Sequence, residues 1–376
     1  MIIVLAALAV LVAGSAVYGM LVLFAARNYV GERGHSACRG PDLISVLKPL
    51  FGADDGLREN LRAFFAQDYS NYEVLMAVPF ESAPEAEIAR QVMREFPSIP
   101  ATIAVTGPSP RPNGKVFALE RLMPEARAEI LVMSDSDIRV TPQMLSAVAA
   151  EMRDAAVGLI TCPYRAIAGA SFWSRLEASG MNSEFLGGVL VARLLNGMDF
   201  AIGCTIAVRR EALDRIGGFN ALRDYLAEDF MMGKLLAESG KRVILSSYVI
   251  EHRIGSQTFR ANMNHRLRWA RSTRRSRPAG YAGEIFTRPL IPALLLAALF
   301  PHWWPLAAIT ILLRFINAGI LAGSILKCRL DTEFWLLIPI QDLVSIMCWL
   351  AGFFGSTILW RGRRLAIKPD GTFSEF

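Results

Sequence analysis

Hydrophobic and polar positions are unevenly spread along the chain. Residues 1–26 form an almost uninterrupted apolar run, residues 289–360 hold most of the remaining apolar excess, and residues 27–288 read as an ordinary globular sequence. The first run is long enough to cross roughly 30 Å of hydrocarbon and has no basic stretch before it, so it reads as a retained anchor rather than a signal peptide. Arg27, Arg33 and Arg39 follow it, which puts the start of the globular part in the cytosol. Near the other end, 305–326 and 334–360 are each long enough to cross. The shorter run 289–300, with His302, Trp303 and Trp304 behind it, has the pattern of a tilted span or an interfacial helix. Arg361, Arg363, Arg364 and Lys368 favour the cytosolic side. Three full spans are expected, or four if 289–300 also crosses. The expected organisation is an anchor at 1–26, a cytosolic domain at 27–288, membrane segments at 289–360 and a basic tail at 361–376.

Inside the globular part, compact β-favouring runs at 43–47, 72–78, 101–105 and 130–133 are separated by helix-like stretches at 56–67, at 84–96 and after the loop 107–114. This βαβαβ alternation predicts an α/β fold with a doubly wound, mostly parallel sheet inserted between the N-terminal and C-terminal transmembrane helices. Ligands of such sheets bind beyond the carboxyl ends of the strands. Further on, 156–162 and 200–208 read as strands, 172–195 as a long and partly amphipathic helix, and 228–239 as a helix. Gly187, Gly188 and Arg193 interrupt 185–195, which suits a helix on the membrane surface or an ordinary core helix.

Composition adds that the chain, 53% hydrophobic and 20% charged, needs both an aqueous and an apolar environment. Its five cysteines lack ligand-like spacing, which supports neither a disulfide framework nor a zinc site. The net charge of +6 is densest at 266–277, just before a membrane segment, where anionic headgroups or a diphosphate explain it better than nucleic acid.

The sharpest chemical signal is Ser134-Asp135-Ser136-Asp137, directly after the run 130–133. Two carboxylates two residues apart in a turn past a strand can face one crevice, where a divalent ion bridges them to a diphosphate; an ordinary Asp-rich turn gives the same pattern. Glu228-Asp229 opens a helix, where the macrodipole alone accounts for acidic residues, and where a carboxylate can also accept the proton of a hydroxyl. In Arg266-Leu267-Arg268-Trp269, preceded by His265, guanidinium groups suit a diphosphate leaving group and Trp269 suits stacking on a sugar or base. For Arg271, Arg274, Arg275 and Arg277 a basic face ahead of a membrane helix is the simpler reading. Lys48 and Lys115 are surface lysines by default, and a lone His252 is more often structural than a ligand.

Taken in order, Ser45-Val46-Leu47-Lys48-Pro49-Leu50, Pro112-Asn113-Gly114-Lys115-Val116, Asp135-Ser136-Asp137-Ile138-Arg139-Val140, Ala227-Glu228-Asp229-Phe230 and Arg268-Trp269 resemble the family-2 GT-A glycosyltransferases. The likeness is to the ceramide glucosyltransferase branch, including bacterial hopanoid-type lipid glycosyltransferases. It runs from about 43 to 287, with a weaker echo at 360–364. The resemblance implies a GT-A-like fold and an inverting transfer of a hexose, of glucose or N-acetylglucosamine type, from a UDP-sugar to a hydroxyl of a membrane lipid. Ceramide is the first acceptor it suggests and a hopanoid the second. It implies Asp229 as catalytic base, Asp135, Asp137 and His252 as ligands of a divalent metal (Mg or Mn), and Lys115, Asp135, Glu228, His265, Arg268 and Trp269 in donor binding. Glu81 stands nearest to the family's early nucleoside-binding Asp, and His265 replaces Gln or Arg at the start of the QxxRW-like motif. The implied partners are the donor, the lipid and the membrane, without nucleic acid, in a multi-pass protein of the bacterial inner membrane with its catalytic domain in the cytosol. A reading from another class is a non-catalytic membrane scaffold or channel, for which Arg314, Asn317 and Asp342 inside apolar runs speak.

Overall fold

Seven strands build the central sheet, and four of them are the apolar runs of the first half of the chain. In the computed structural model, which describes residues 1–32, 42–360 and 363–375, they are β1 Ile44–Pro49, β2 Tyr72–Val78, β3 Ala101–Val105, β4 Ile130–Ser134, β5 Val157–Thr161, β6 Thr205–Arg209 and β7 Arg242–Leu245. Arg33, Cys38, Arg39 and Arg361 lie outside the described residues. The spatial order is β3-β2-β1-β4-β6-β5-β7. The first four strands run parallel, β6 is antiparallel to both its neighbours, and β5 runs parallel to β7.

β1, β2 and β4 are buried on both faces almost throughout, which is why they read as continuous apolar runs rather than alternating ones. The crossovers carry the helices Leu57–Phe65, Pro84–Glu95 and Gly114–Leu122. Leu47, Leu75, Leu131 and Met133 from the sheet pack with Leu119 and Leu122 from one helix and Leu236 from another. The sheet is therefore the doubly wound, mostly parallel one expected, with a single antiparallel strand inserted.

Contacts divide the chain into two compact units that cut across the chain order expected above. The sheet unit comprises Gly34–Tyr164, Met198–Gly255 and Gly371–Phe376; the helical unit comprises Met1–Arg33, Arg165–Gly197 and Ser256–Asp370. In the helical unit, Ile2–Gly31, Pro301–Ile325 and Thr332–Gly352 are long and apolar enough to cross a membrane, and the pair Pro278–Thr287 and Leu290–Leu299, bent by 54°, makes a fourth if counted as one span. The last helix ends at Gly352, earlier than its apolar run suggests. Gly355 takes a positive φ of 76°, and Thr357–Trp360 is a strand paired with Arg363–Ile367.

The segment 172–195 is helical as expected, with a π-helical turn at Met181–Phe185 between Phe172–Gly180 and Leu186–Asn196. A second π-helical turn, Ile320–Ile325, ends the helix that starts at Trp304. Leu186, Val189 and Leu190 are buried, and a Cβ on Gly187 would lie 3.1 Å from Leu321 and 3.5 Å from Val22. The middle of 185–195 is thus packed against neighbouring helices, and only its end, at Leu195, is exposed. Polar ties fix the apolar helices to one another. Arg314 pairs with Asp342 at 2.7 Å and donates to the carbonyl of Ser183 at 3.2 Å, while Asn317 donates to the carbonyl of Gly19 at 3.1 Å.

Candidate active site

β4 delivers the Asp-rich turn. Its ladder with β6 ends at Ser134 opposite Thr205, the two hydroxyls 3.0 Å apart, and the amide of Asp135 continues the pairing onto the carbonyl of Cys204. Beneath the turn lies Lys48 of β1, fully buried. Its ammonium donates to the carbonyl of Asp135 and, at 3.4 Å, to the Ser134 hydroxyl, and it stands 4.0 Å from the centre of the Phe64 ring. Burial, only partly opposed by Asp135 and Asp137, brings this amine down to about 7. Lys48 is therefore a buried strut of the turn, not the surface lysine expected by default.

Asn113 organises the other side. Its Oδ1 accepts from the amide of Val116 and caps the helix Gly114–Leu122, while its Nδ2 donates to the carbonyl of Tyr225 at 2.9 Å and toward Glu228 at 3.4 Å. This cap places Lys115 among the carboxylates. Its ammonium is 2.8 Å from Asp135 and 3.1 Å from Glu228, and it donates to the carbonyl of Gly203 at 3.2 Å. Burial alone would discharge Lys115, but Asp135, Glu228 and Asp229 outweigh it and hold the ammonium above its ordinary value. Burial raises Asp135 against the pull of Lys115.

Asp229 sits in the first turn of the helix Glu228–Glu238. Burial, reinforced by the charge of neighbouring Glu228 and opposed by Lys115, pushes its carboxyl up to about 7. Such a group shares protons readily at neutral pH, as a general base must.

His252 reaches the cluster through a strand that its short, mixed sequence conceals. Ile250–Ile254 pairs antiparallel with Ile138–Arg139, which brings His252 Nε2 to 3.1 Å from Asp137 Oδ2. Burial would raise Asp137, but His252 by charge and hydrogen bond brings it below its ordinary value. The other oxygen of Asp137, Oδ1, is buried and has no hydrogen-bond partner among the described residues. Such an oxygen is suited to a cation. Among the described residues no three acidic, His or Cys side chains converge as a preformed cage. The donor set thus fits an ion such as Mg, which takes one or two carboxylates from the protein and completes its shell with phosphate and water.

Glu81, past the end of β2, stands apart from these carboxylates. It is exposed and 3.7 Å from Arg90. His265, Arg268 and Trp269 belong to the helical unit, on the helix Phe259–Ser276. There His265 Nδ1 is 2.6 Å from the buried carboxylate of Glu177, which also accepts from Asn262 at 2.6 Å. The rings of His265 and Trp269 are 5.1 Å apart, Trp269 also packs on Phe185, and Arg268 lies 6.0 Å from the centre of the Trp360 ring.

Three contributors carry no readable sequence signal. Glu177 is 88 residues from its partner His265. Gly203 and Gly233 matter through the absence of a side chain: a Cβ on Gly203 would strike Asp229, and one on Gly233 would lie 2.4 Å from the backbone of Phe200 and Ala201. Only the pairing of Gly233 with an apolar turn on a helix hinted at close packing.

Comparisons with known proteins agree with this architecture. A family model described as glycosyl transferase family 21 matches residues 7–373. Ceramide glucosyltransferase 3 of Caenorhabditis elegans is 26% identical over 235 residues, covering 61% of this chain and 50% of that protein. Ceramide glucosyltransferase 1 of the same organism is 27% identical over 228 residues, covering 60% and 48%. The chain thus spans about half the length of these curated relatives in the matched region. Among solved structures, mannosyltransferase PcManGT from Pyrobaculum calidifontis, in complex with GDP-Man and Mn2+, shares the fold with a TM-score of 0.56 at 18% identity, covering 93% of this chain and 99% of that one.

Proposed function

Because the chain belongs to glycosyl transferase family 21, we propose that it transfers a hexose, with inversion, from a UDP-sugar to a hydroxyl of a membrane lipid. Ceramide is the first acceptor to test, by analogy with the named C. elegans relatives, and a hopanoid polyol the second. The observation that carries the reading is the gathering of Asp135, Glu228 and Asp229 around Lys115, beside the Asp137–His252 pair, past the carboxyl ends of β1 and β4.

In this reading Asp229 takes the proton of the acceptor hydroxyl as its oxygen bonds to the anomeric carbon. The bond from that carbon to the diphosphate oxygen breaks on the opposite face, and the nucleoside diphosphate leaves with the electron pair. A divalent ion, Mg or Mn, held by Asp135 and Asp137 with His252 at the same carboxylate, supplies charge neutralisation at the diphosphate. Lys48 keeps the turn in place from below. Lys115 holds Asp135 and Glu228 together and offers its charge to an incoming phosphate. Arg268 and Trp269 are assigned to donor recognition, and Glu81 to the nucleoside, on the resemblance of their motifs alone. The apolar helices place the protein in a membrane, with the sheet unit in the cytosol of a bacterial cell.

The test is incubation of the purified full chain, in nanodiscs, with radiolabelled UDP-glucose, UDP-N-acetylglucosamine and GDP-mannose against ceramide, a hopanoid polyol and a lipid-free control. Label should enter the lipid phase from a UDP-sugar and not in the Asp229→Asn variant. Transfer only from GDP-mannose would overturn the donor assignment, and no transfer to any lipid would overturn the acceptor class.

A further inference from the structure

Within the helical unit, a small polar cavity lies among the apolar helices. It is lined by Ser15 of the helix Ile2–Gly31, by Glu184 and Gly187 of the bulged helix, and by Thr310, Arg314 and Asn317 of the helix Trp304–Gly319. Both π-helical turns contribute to its wall, through Glu184 on one and Leu321 on the other. A π turn costs hydrogen-bond geometry and recurs where a helix serves a function.

Two polar atoms here are unsatisfied. Ser15 is 4% and Asn317 is 6% exposed, and Ser15 Oγ and Asn317 Oδ1 have no hydrogen-bond partner among the described residues. An unmet donor or acceptor between apolar helices is costly, so a guest that meets both is favoured. The charges in the wall are already matched. Glu184 pairs with Arg288 at 3.1 Å, and Arg314 with Asp342 at 2.7 Å. What is left unmatched is one hydroxyl and one amide oxygen, both neutral. The room available suits a hydroxyl or an amide group and not a sugar ring.

We propose that this cavity seats one uncharged polar group of a bilayer lipid, a hydroxyl or an amide, which accepts from Ser15 and donates to Asn317. The lipid's chains then remain among the apolar side chains outside. A charged headgroup would meet no free counter-charge there and would bear the cost of leaving water. The proposal names the polar group recognised in the lipid acceptor and rests on the lipid part of the reading above, not on the chemistry of transfer.

The experiment is photolabelling of the full chain in nanodiscs, without any sugar donor. The probe is a long-chain diol with a diazirine next to the diol, and the control is the same chain ending in a phosphate. The diol should label peptides containing Ser15, Glu184 or Asn317, and Ser15→Ala and Asn317→Leu should each lower that labelling several-fold, about tenfold together, as loss of one neutral hydrogen bond apiece implies. Ser15→Ala removes an atom that bonds to nothing, so it folds as the parent does, and a size-exclusion profile checks this for both. Equal labelling by the phosphate-ended chain, labelling that neither variant changes, or no labelling at these peptides would each overturn the proposal, the last leaving water as the guest. Because no transfer is measured, a failure here is distinct from a failure of the enzymatic reading, which the radiolabel assay reports separately.

Discussion

A side chain on Gly203 would place its Cβ 2.5 Å from Oδ2 of Asp229. The carboxylate thus rests directly on a bare stretch of backbone, whose carbonyl at the same residue accepts from Lys115. A methyl group there is accommodated by turning the aspartate rather than by moving the main chain. Gly203→Ala should therefore lower turnover about 100-fold, as misplacement of a reacting group by an ångström does, while the thermal midpoint shifts by only a few degrees. Parallel measurement of turnover and melting decides it; unchanged turnover would mean that the aspartate orientation is not critical.

Gly233 shows the opposite balance. A Cβ there meets the main chain of Phe200 and Ala201 at 2.4 Å, and main chain cannot swing aside. Gly233→Ala should destabilise the sheet unit by roughly 2–4 kcal/mol through overpacking, and Gly233→Val by more. Chemical denaturation of the detergent-solubilised protein measures this directly.

Activity should depend on pH through Asp229, raised to about 7 by burial and by Glu228. The base acts in its ionised form, so activity is present above that value and lost as pH falls through it. kcat/KM should drop about tenfold per unit below pH 7 in the parent. Asp229→Asn should abolish turnover at every pH with donor affinity largely retained, measurable by isothermal titration with the UDP-sugar. A flat profile between pH 5 and 8 in the parent would exclude this carboxylate as the base.

Lys48 makes a second pH statement, on stability. Its folded value of about 7 lies below the unfolded one, so the unfolded chain binds the extra proton. Its share of the stability is complete above the unfolded value near 10.4 and is lost as pH falls toward 7. Lys48→Met should raise the melting temperature at pH 6 more than at pH 9. It should also weaken donor binding several-fold, because the hydrogen bonds under the Asp-rich turn are gone.

Chelation should remove transfer, and added Mg or Mn should restore it. Asp137→Asn should raise the metal concentration needed at least tenfold, since it neutralises the carboxylate whose Oδ1 has no other partner among the described residues. Full activity after exhaustive chelation would leave the diphosphate to Lys115 and the arginines alone.

How far the sequence carried these conclusions depended on the range of the interaction. β2 and β3 appear at their expected residues, because strands packed on both faces or bounded by turns leave a local apolar signature. The Asp-rich turn was legible for the same reason, standing at the end of such a run. The reach of Lys115 to Asp135 and Glu228 was not, since those partners are brought near only by the cap at Asn113 and the crossing of Gly203. His252 stood in a short, half-buried stretch of mixed polarity, and its strand pairs with two residues only. The expected strand at 200–208 begins at Thr205 because the chain before it is held by Thr161, whose hydroxyl both donates to and accepts from the backbone of Ile202. The final apolar run overstated its helix because strand residues such as Ile358 and Leu359 are as hydrophobic as those of a span.

A π turn holds one residue more than the α turn it replaces, so the two at Met181–Phe185 and Ile320–Ile325 act as inserted letters in otherwise regular helices. Deleting a single residue from Met181–Phe185 would restore α geometry and rotate everything after it by about 100° around the helix axis. Gly187 would then turn away from Leu321 and Val22, and a bulkier residue would face them. Length in this stretch is accordingly far less negotiable than identity: homologous chains should tolerate many substitutions between 181 and 185 and almost no one-residue gaps.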